Sequence, residues 1–105
     1  MKHNDENIIL SVKKTVESID PDAITIIHGS RARNEERVDS DWDFIIITNN
    51  PLDLELETKF RDRLYDLEID IGQPFSFMFF SKDDWQNNQR LSPFYQNVIK
   101  DGISL

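Results

Sequence analysis

The residues of this 105-residue chain best suited to chemistry lie in one stretch. His28-Gly29-Ser30-Arg31-Ala32-Arg33 is followed, after ten residues between Ser30 and the first acid, by Asp41-Trp42-Asp43. Gly29 carries no side chain, so the backbone there can approach a phosphate closely, and Ser30 offers both an amide and a hydroxyl to it. On a strand, Asp41 and Asp43 would project to one side and Trp42, Phe44 and Ile46 to the other. Two carboxylates about 6–7 Å apart repel by roughly 2–3 kcal/mol at an effective dielectric near 20. A cation between them removes that penalty, and hard oxygen ligands favour Mg2+ or Mn2+ with positions left for substrate phosphates. Arg31 or Arg33 would stabilise a departing pyrophosphate. A phosphate-holding turn joined to a metal-holding pair is the minimum apparatus for moving a nucleotidyl group.

Positioning these residues requires a strand that stops at Gly29 and another that starts near Asp41. Ala23 to His28 is apolar and β-branched and predicts the first; Trp42 to Thr48 predicts the second. Before them, Ile8, Ile9, Val12, Val16 and Ile19 recur at helical spacing, with Asn4 or Asp5 as cap, so residues 5 to 19 predict an amphipathic helix. Ser30 to Glu36 favours a short helix and Val38 to Ser40 a connector. Asn50 and Pro51 look like the cap and first turn of a second long helix carrying Leu56, Phe60, Leu64 and Leu67. Gly72-Gln73-Pro74 ends it, and Phe75 to Phe80 predicts a third strand. Ser81-Lys82-Asp83-Asp84 resembles a capping box opening a short helix. Ser92-Pro93 starts a last helix over residues 93 to 101, with Gly102 placed where positive φ would be wanted. The pattern implies one small α/β layer domain spanning residues 1–105, with the pairing order of its strands left open.

A single domain of this length buries roughly two-thirds of its unfolded surface without needing disulfides. The absence of cysteine rules out thiolate metal sites and suits a reducing compartment. The only apolar stretch near the N-terminus is Ile8-Ile9-Leu10, and no run approaches a membrane span, so the chain reads as cytoplasmic and not membrane-bound. A net charge of −8 disfavours direct binding of nucleic acid through its phosphates. It leaves room for a small triphosphate held locally by Arg31, Arg33 and Arg37 with a metal.

The run from His28 to Phe44, with Gly-Ser, ten residues, then Asp-x-Asp, resembles the minimal nucleotidyltransferases of the DNA polymerase beta superfamily. The likeness extends over nearly the whole chain, to Lys100-Asp101-Gly102-Ile103. It implies a nucleotidyltransferase fold, α/β (α+β) with helices packed on a small mixed β-sheet. It further implies nucleotide phosphates at Gly29 and Ser30 and metal at Asp41 and Asp43. Asn34 stands where the family often has Gly. A larger departure is Gly72-Gln73-Pro74-Phe75-Ser76, which puts Ser76 where the family has a third carboxylate. Glu68 and Asp70 are the nearest acidic substitutes, though a helix end exposes such residues ordinarily. His28 reads as a strand-end residue and His3 as part of a frayed terminus.

Family members this small resemble the antitoxin half of a pair with a HEPN-domain ribonuclease, and some modify a tyrosine of that partner. The resemblance therefore implies an Mg2+-dependent enzyme that moves AMP from ATP to a hydroxyl acceptor, with a HEPN-type toxin as a candidate bearer of that hydroxyl. The alternative is a weakened or inactive nucleotide-binding or interaction module of the same fold, with Ser76 its main support. Aminoglycoside-modifying relatives carry a further helical domain that is not built here, which makes an antibiotic an unexpected substrate. The aromatic set Phe75, Phe77, Phe79, Phe80 and Trp85 is expected to be mostly core. Oligomeric state is left open by the sequence.

Overall fold

A computed structural model describes residues 3–29, 32 and 41–105. Ser30, Arg31 and Arg33, the expected short helix over 30–36 and the connector at 38–40 fall outside the described residues, Ala32 excepted. Among the described residues the order is α1 (His3–Ile19), β1 (Ile24–His28), β2 (Trp42–Thr48), α2 (Leu54–Ile71), β3 (Phe75–Ser81), a π-helical turn (Asp84–Asn88), α3 (Pro93–Asp101) and β4 (Ile103–Ser104). The sheet is mixed, in the order β3-β2-β1-β4. β1 is antiparallel to both β2 and β4, while β2 and β3 run parallel. Parallel neighbours need a long crossover, which α2 provides.

Strand alternation divides the core into two layers. On one face Ile27, Trp42, Phe44, Ile46 and Phe79 pack with Ile8, Val12 and Val16 of α1 and Phe60 and Leu64 of α2. On the other, Ile26, Ile45 and Ile47 lie under Trp85 and Val98, with Phe80, Phe94 and Tyr95 at the border. Phe79 and Trp85 are buried as expected of the aromatic set, while Phe75, Phe77 and Phe80 are half-buried. The guanidinium of Arg61 sits 4.8 Å from the centre of the Phe79 ring, tying α2 to β3 through a cation–π contact.

Several boundaries differ from the sequence expectation. α1 begins at His3, ahead of the cap expected at Asn4 or Asp5; acids in a first turn still favour the helix dipole. α2 starts at Leu54, with Asp53 rather than Asn50 as its cap, because the Asp53 carboxylate accepts from the Leu56 amide at 2.8 Å. Asn49 and Asn50 are held elsewhere. Their backbone N–H groups donate to the Asp20 carboxylate at 3.0 Å and to the Thr48 hydroxyl at 3.3 Å, respectively. The Ser81 hydroxyl accepts from the Asp84 amide at 3.1 Å as a capping box requires, but the Asp84 carboxylate accepts from the Asn88 side chain at 2.8 Å. Ser92 caps α3 as expected, accepting from the Tyr95 amide, with Pro93 in the first turn.

Gly102 is a correction of cause. Its φ is −71°, so no left-handed conformation is involved. A β-carbon there would lie 2.5 Å from the Val98 carbonyl oxygen and 2.9 Å from Ile26 Cγ2. Glycine is needed because the chain leaves α3 against the sheet and turns directly into β4, an edge strand too short for its pattern to be seen in the sequence.

Asp20 joins the layers at the far end of β2. Only 3% exposed, it accepts from the Thr48 hydroxyl at 2.6 Å and from the amides of Asn49 and Asp22 at 3.0 Å each. Burial opposes its charge, yet these hydrogen bonds outweigh it and hold the carboxyl below the usual aspartate value. Asp20→Ala is expected to destabilise the fold by about 2–3 kcal/mol, since it leaves buried donors unmatched. Asp20's contribution is complete above the unfolded carboxyl's value of about 4 and is lost as pH falls through the lower folded value. Thermal melts should therefore separate the two proteins at neutral pH and bring them together in acid.

Candidate functional site

Pairing order brings three polar residues into one row. Asp43 of β2 stands opposite His28 of β1 on one side and Ser76 of β3 on the other. Directly paired residues share a face, so His28, Asp43 and Ser76 form a polar rung at the end of the face otherwise lined by Ile26 and Ile45. Ser76 is exposed, whereas His28 and Asp43 are half-buried.

Gly29 closes the rung from below the turn. Its φ of 80° is left-handed, and a β-carbon there would lie 2.5 Å from Asp43 Oδ2. The missing side chain therefore makes room for the carboxylate as well as for any phosphate at the turn. Asp41 precedes β2 and is exposed, so the alternation expected to align both acids applies strictly to Asp43 alone. The two still sense one another. Burial pushes the Asp43 carboxyl above the ordinary aspartate value, the nearby His28 pulls it down, and the charge of Asp41 pushes it up again.

The rung was not visible in the sequence. His28, read there as a strand-end residue, faces Asp43 in register, and its ring meets Phe94 of α3 edge-on at 5.6 Å. A histidine one residue before the Gly29 turn was the available signal. Glu68 is not a substitute for the third carboxylate. It lies across the sheet on α2 and accepts from the Phe75 amide, anchoring the start of β3. Asp70 is exposed on the same helix. Among the described residues, no group of three or more acidic or histidine side chains is arranged to hold a metal ion by itself.

Along residues 7–105 the chain matches the family model described as Polymerase beta, Nucleotidyltransferase. The chain belongs to that family. Comparison of the nucleotidyltransferase domain with curated proteins returned no match. In structure it is similar to a chain solved in a "toxin-antitoxin with AMP-PNP", with a TM-score of 0.63 and 16% identity, over 94% of this chain and 70% of that one. Identity that low establishes likeness of fold. No helix of the described residues is long and apolar enough to cross a membrane.

Proposed function

We propose that this nucleotidyltransferase domain moves AMP from ATP to a hydroxyl acceptor with Mg2+ or Mn2+, the acceptor lying on a HEPN-type toxin. The observation that carries the reading is the apposition of Gly29 and Asp43. The turn that would hold phosphates abuts a carboxylate that would hold the metal. A half-buried carboxyl raised by desolvation, beside a second acid, is relieved by a divalent cation, so the donor set fits one. Asp41 and Asp43 would hold it, and when bound it would supply charge neutralisation at the α-phosphate. Gly29 and Ser30 would orient the phosphate tail, with Arg31 and Arg33 countering pyrophosphate charge. His28, facing Asp43 in register, partly offsets the burial that raises its carboxyl. The toxin partner is supported by the structural neighbour, solved as a toxin-antitoxin.

Incubation with labelled ATP, Mg2+ or Mn2+ and the product of the neighbouring gene tests this directly. Label on the partner, absent with Asp41→Asn, Asp43→Asn, is the expected result; no transfer by the native protein under any of these conditions defeats it. Ser76 favours a second reading, in which the domain binds nucleotide and partner without turnover, because a hydroxyl stands where a carboxylate would complete the acidic set. Ser76→Asp distinguishes the two. In the same row as Asp43 and exposed, an added carboxylate should raise transfer by about tenfold or more with little change in melting temperature. Metal-dependent ATP binding that persists with no transfer by either protein would favour the binding module.

A further inference from the structure

Beside the rung lies a cleft of about 220 Å³, lined by His28, Gly29, Phe94, Asn97, Val98 and Asp101. Whole small-molecule sites commonly occupy about 300–1,000 Å³, so this cleft suits part of a ligand whose remainder lies at the neighbouring turn. The α3 residues involved recur at helical spacing, presenting one strip of that helix to the end of β1. Val98 is buried beneath it and Phe94 is half-buried, its ring packed against Phe80 and Trp85 as well as His28. Asn97 is exposed and Asp101 half-buried.

We propose that this cleft is the nucleoside subsite, taking the ribose and base of the triphosphate whose phosphates lie at Gly29; the proposal rests on the nucleotide reading above. Charge assigns the polarity. Asp101, the one carboxylate among the lining residues, disfavours a phosphate at the α3 end of the cleft and suits an uncharged, hydroxyl-bearing group there. The Asp101 carboxylate accepts hydrogen bonds from ribose hydroxyls, a pairing acidic residues make in other nucleotide sites. The Asn97 amide carries both a donor and an acceptor for a base edge, and Phe94 supplies an apolar wall. Asp101 is otherwise misplaced, for an acid at a helix C-terminus opposes the dipole.

The test is calorimetric titration with ATP and with inorganic tripolyphosphate, each in Mg2+, on the native protein, Asn97→Ala, Asp101→Ala and Asp43→Asn. The native protein should bind ATP more tightly than tripolyphosphate. Each α3 variant should lose about tenfold in ATP affinity with tripolyphosphate affinity unchanged, and Asp43→Asn should weaken both. Asp101→Ala should not lower the melting temperature, given the dipole; if it did, Asn97→Ala at its exposed position decides alone. ATP affinity unmoved by the α3 variants but lost with Asp43→Asn would overturn the subsite and leave the nucleotide reading standing. Equal losses for ATP and tripolyphosphate in the α3 variants would also overturn it. Failure of the native protein to bind either ligand would overturn both.

Discussion

Asp43→Asn is expected to reduce nucleotidyl transfer at least about 10³-fold, equivalent to about 4 kcal/mol of transition-state stabilisation, while making the metal-free protein more stable. Both effects have one cause. Asp43 is half-buried between His28 and Ser76 with Gly29 against its oxygens, and burial raises its carboxyl above the ordinary value. The folded protein therefore keeps this proton to higher pH than the unfolded chain. Stability is lost as pH rises from the unfolded value to the folded one, and it stays lost above that. A neutral amide of the same shape avoids that loss. Melting temperatures of the two proteins without metal should coincide in acid and separate as pH rises, the asparagine form higher. Added Mg2+ should then raise the native protein's melting temperature and leave the variant's unchanged. A variant less stable than the native protein at neutral pH, or one that retains transfer, would contradict this account of the site.

Gly29→Ala is expected to lower transfer about 10²-fold, the scale produced by displacing a reacting group by about 1 Å, and to destabilise the fold by about 1–2 kcal/mol through left-handed strain. Gly72 is the internal control. Its φ of 74° matches the 80° of Gly29, but a β-carbon at Gly72 would have nothing within 4 Å, whereas one at Gly29 would meet the Asp43 carboxylate. Gly72→Ala should carry a similar stability penalty and full transfer. Comparing kcat and melting temperature for the two variants separates backbone strain from displacement of the carboxylate. Equal activity in both would mean that the contact with Asp43 is not what makes Gly29 necessary.

Much of the architecture was legible before the structure. β2 from Trp42 to Thr48 and α3 from Pro93 to Asp101 coincide with the expected spans, because each has an unbroken apolar pattern with an explicit stop. The start of α2 was misplaced because Asn50-Pro51 and Asp53 both have capping chemistry, and only the hydrogen bonds of Asp20 and Thr48 show that the asparagines are otherwise engaged. β4 has two residues and no period to detect. Gly29, Asp43 and the absence of an acid at Ser76 could be read from spacing and resemblance. The rung of His28, Asp43 and Ser76 could not, since it depends on β2 lying between β1 and β3, and local sequence carries no record of strand order. Equally, that Glu68 serves the start of β3 required knowing which face of the sheet α2 covers.

Asp43 sits on β2, an inner strand paired on both sides, while its neighbour Ser76 on the same face is exposed. The scaffold is therefore indifferent to what that outer position carries: hydroxyl, carboxylate or amide can be exchanged there without disturbing Trp42, Phe44 or the helices behind them. Such an arrangement leaves that position open to single substitutions with the hydrophobic layers preserved throughout.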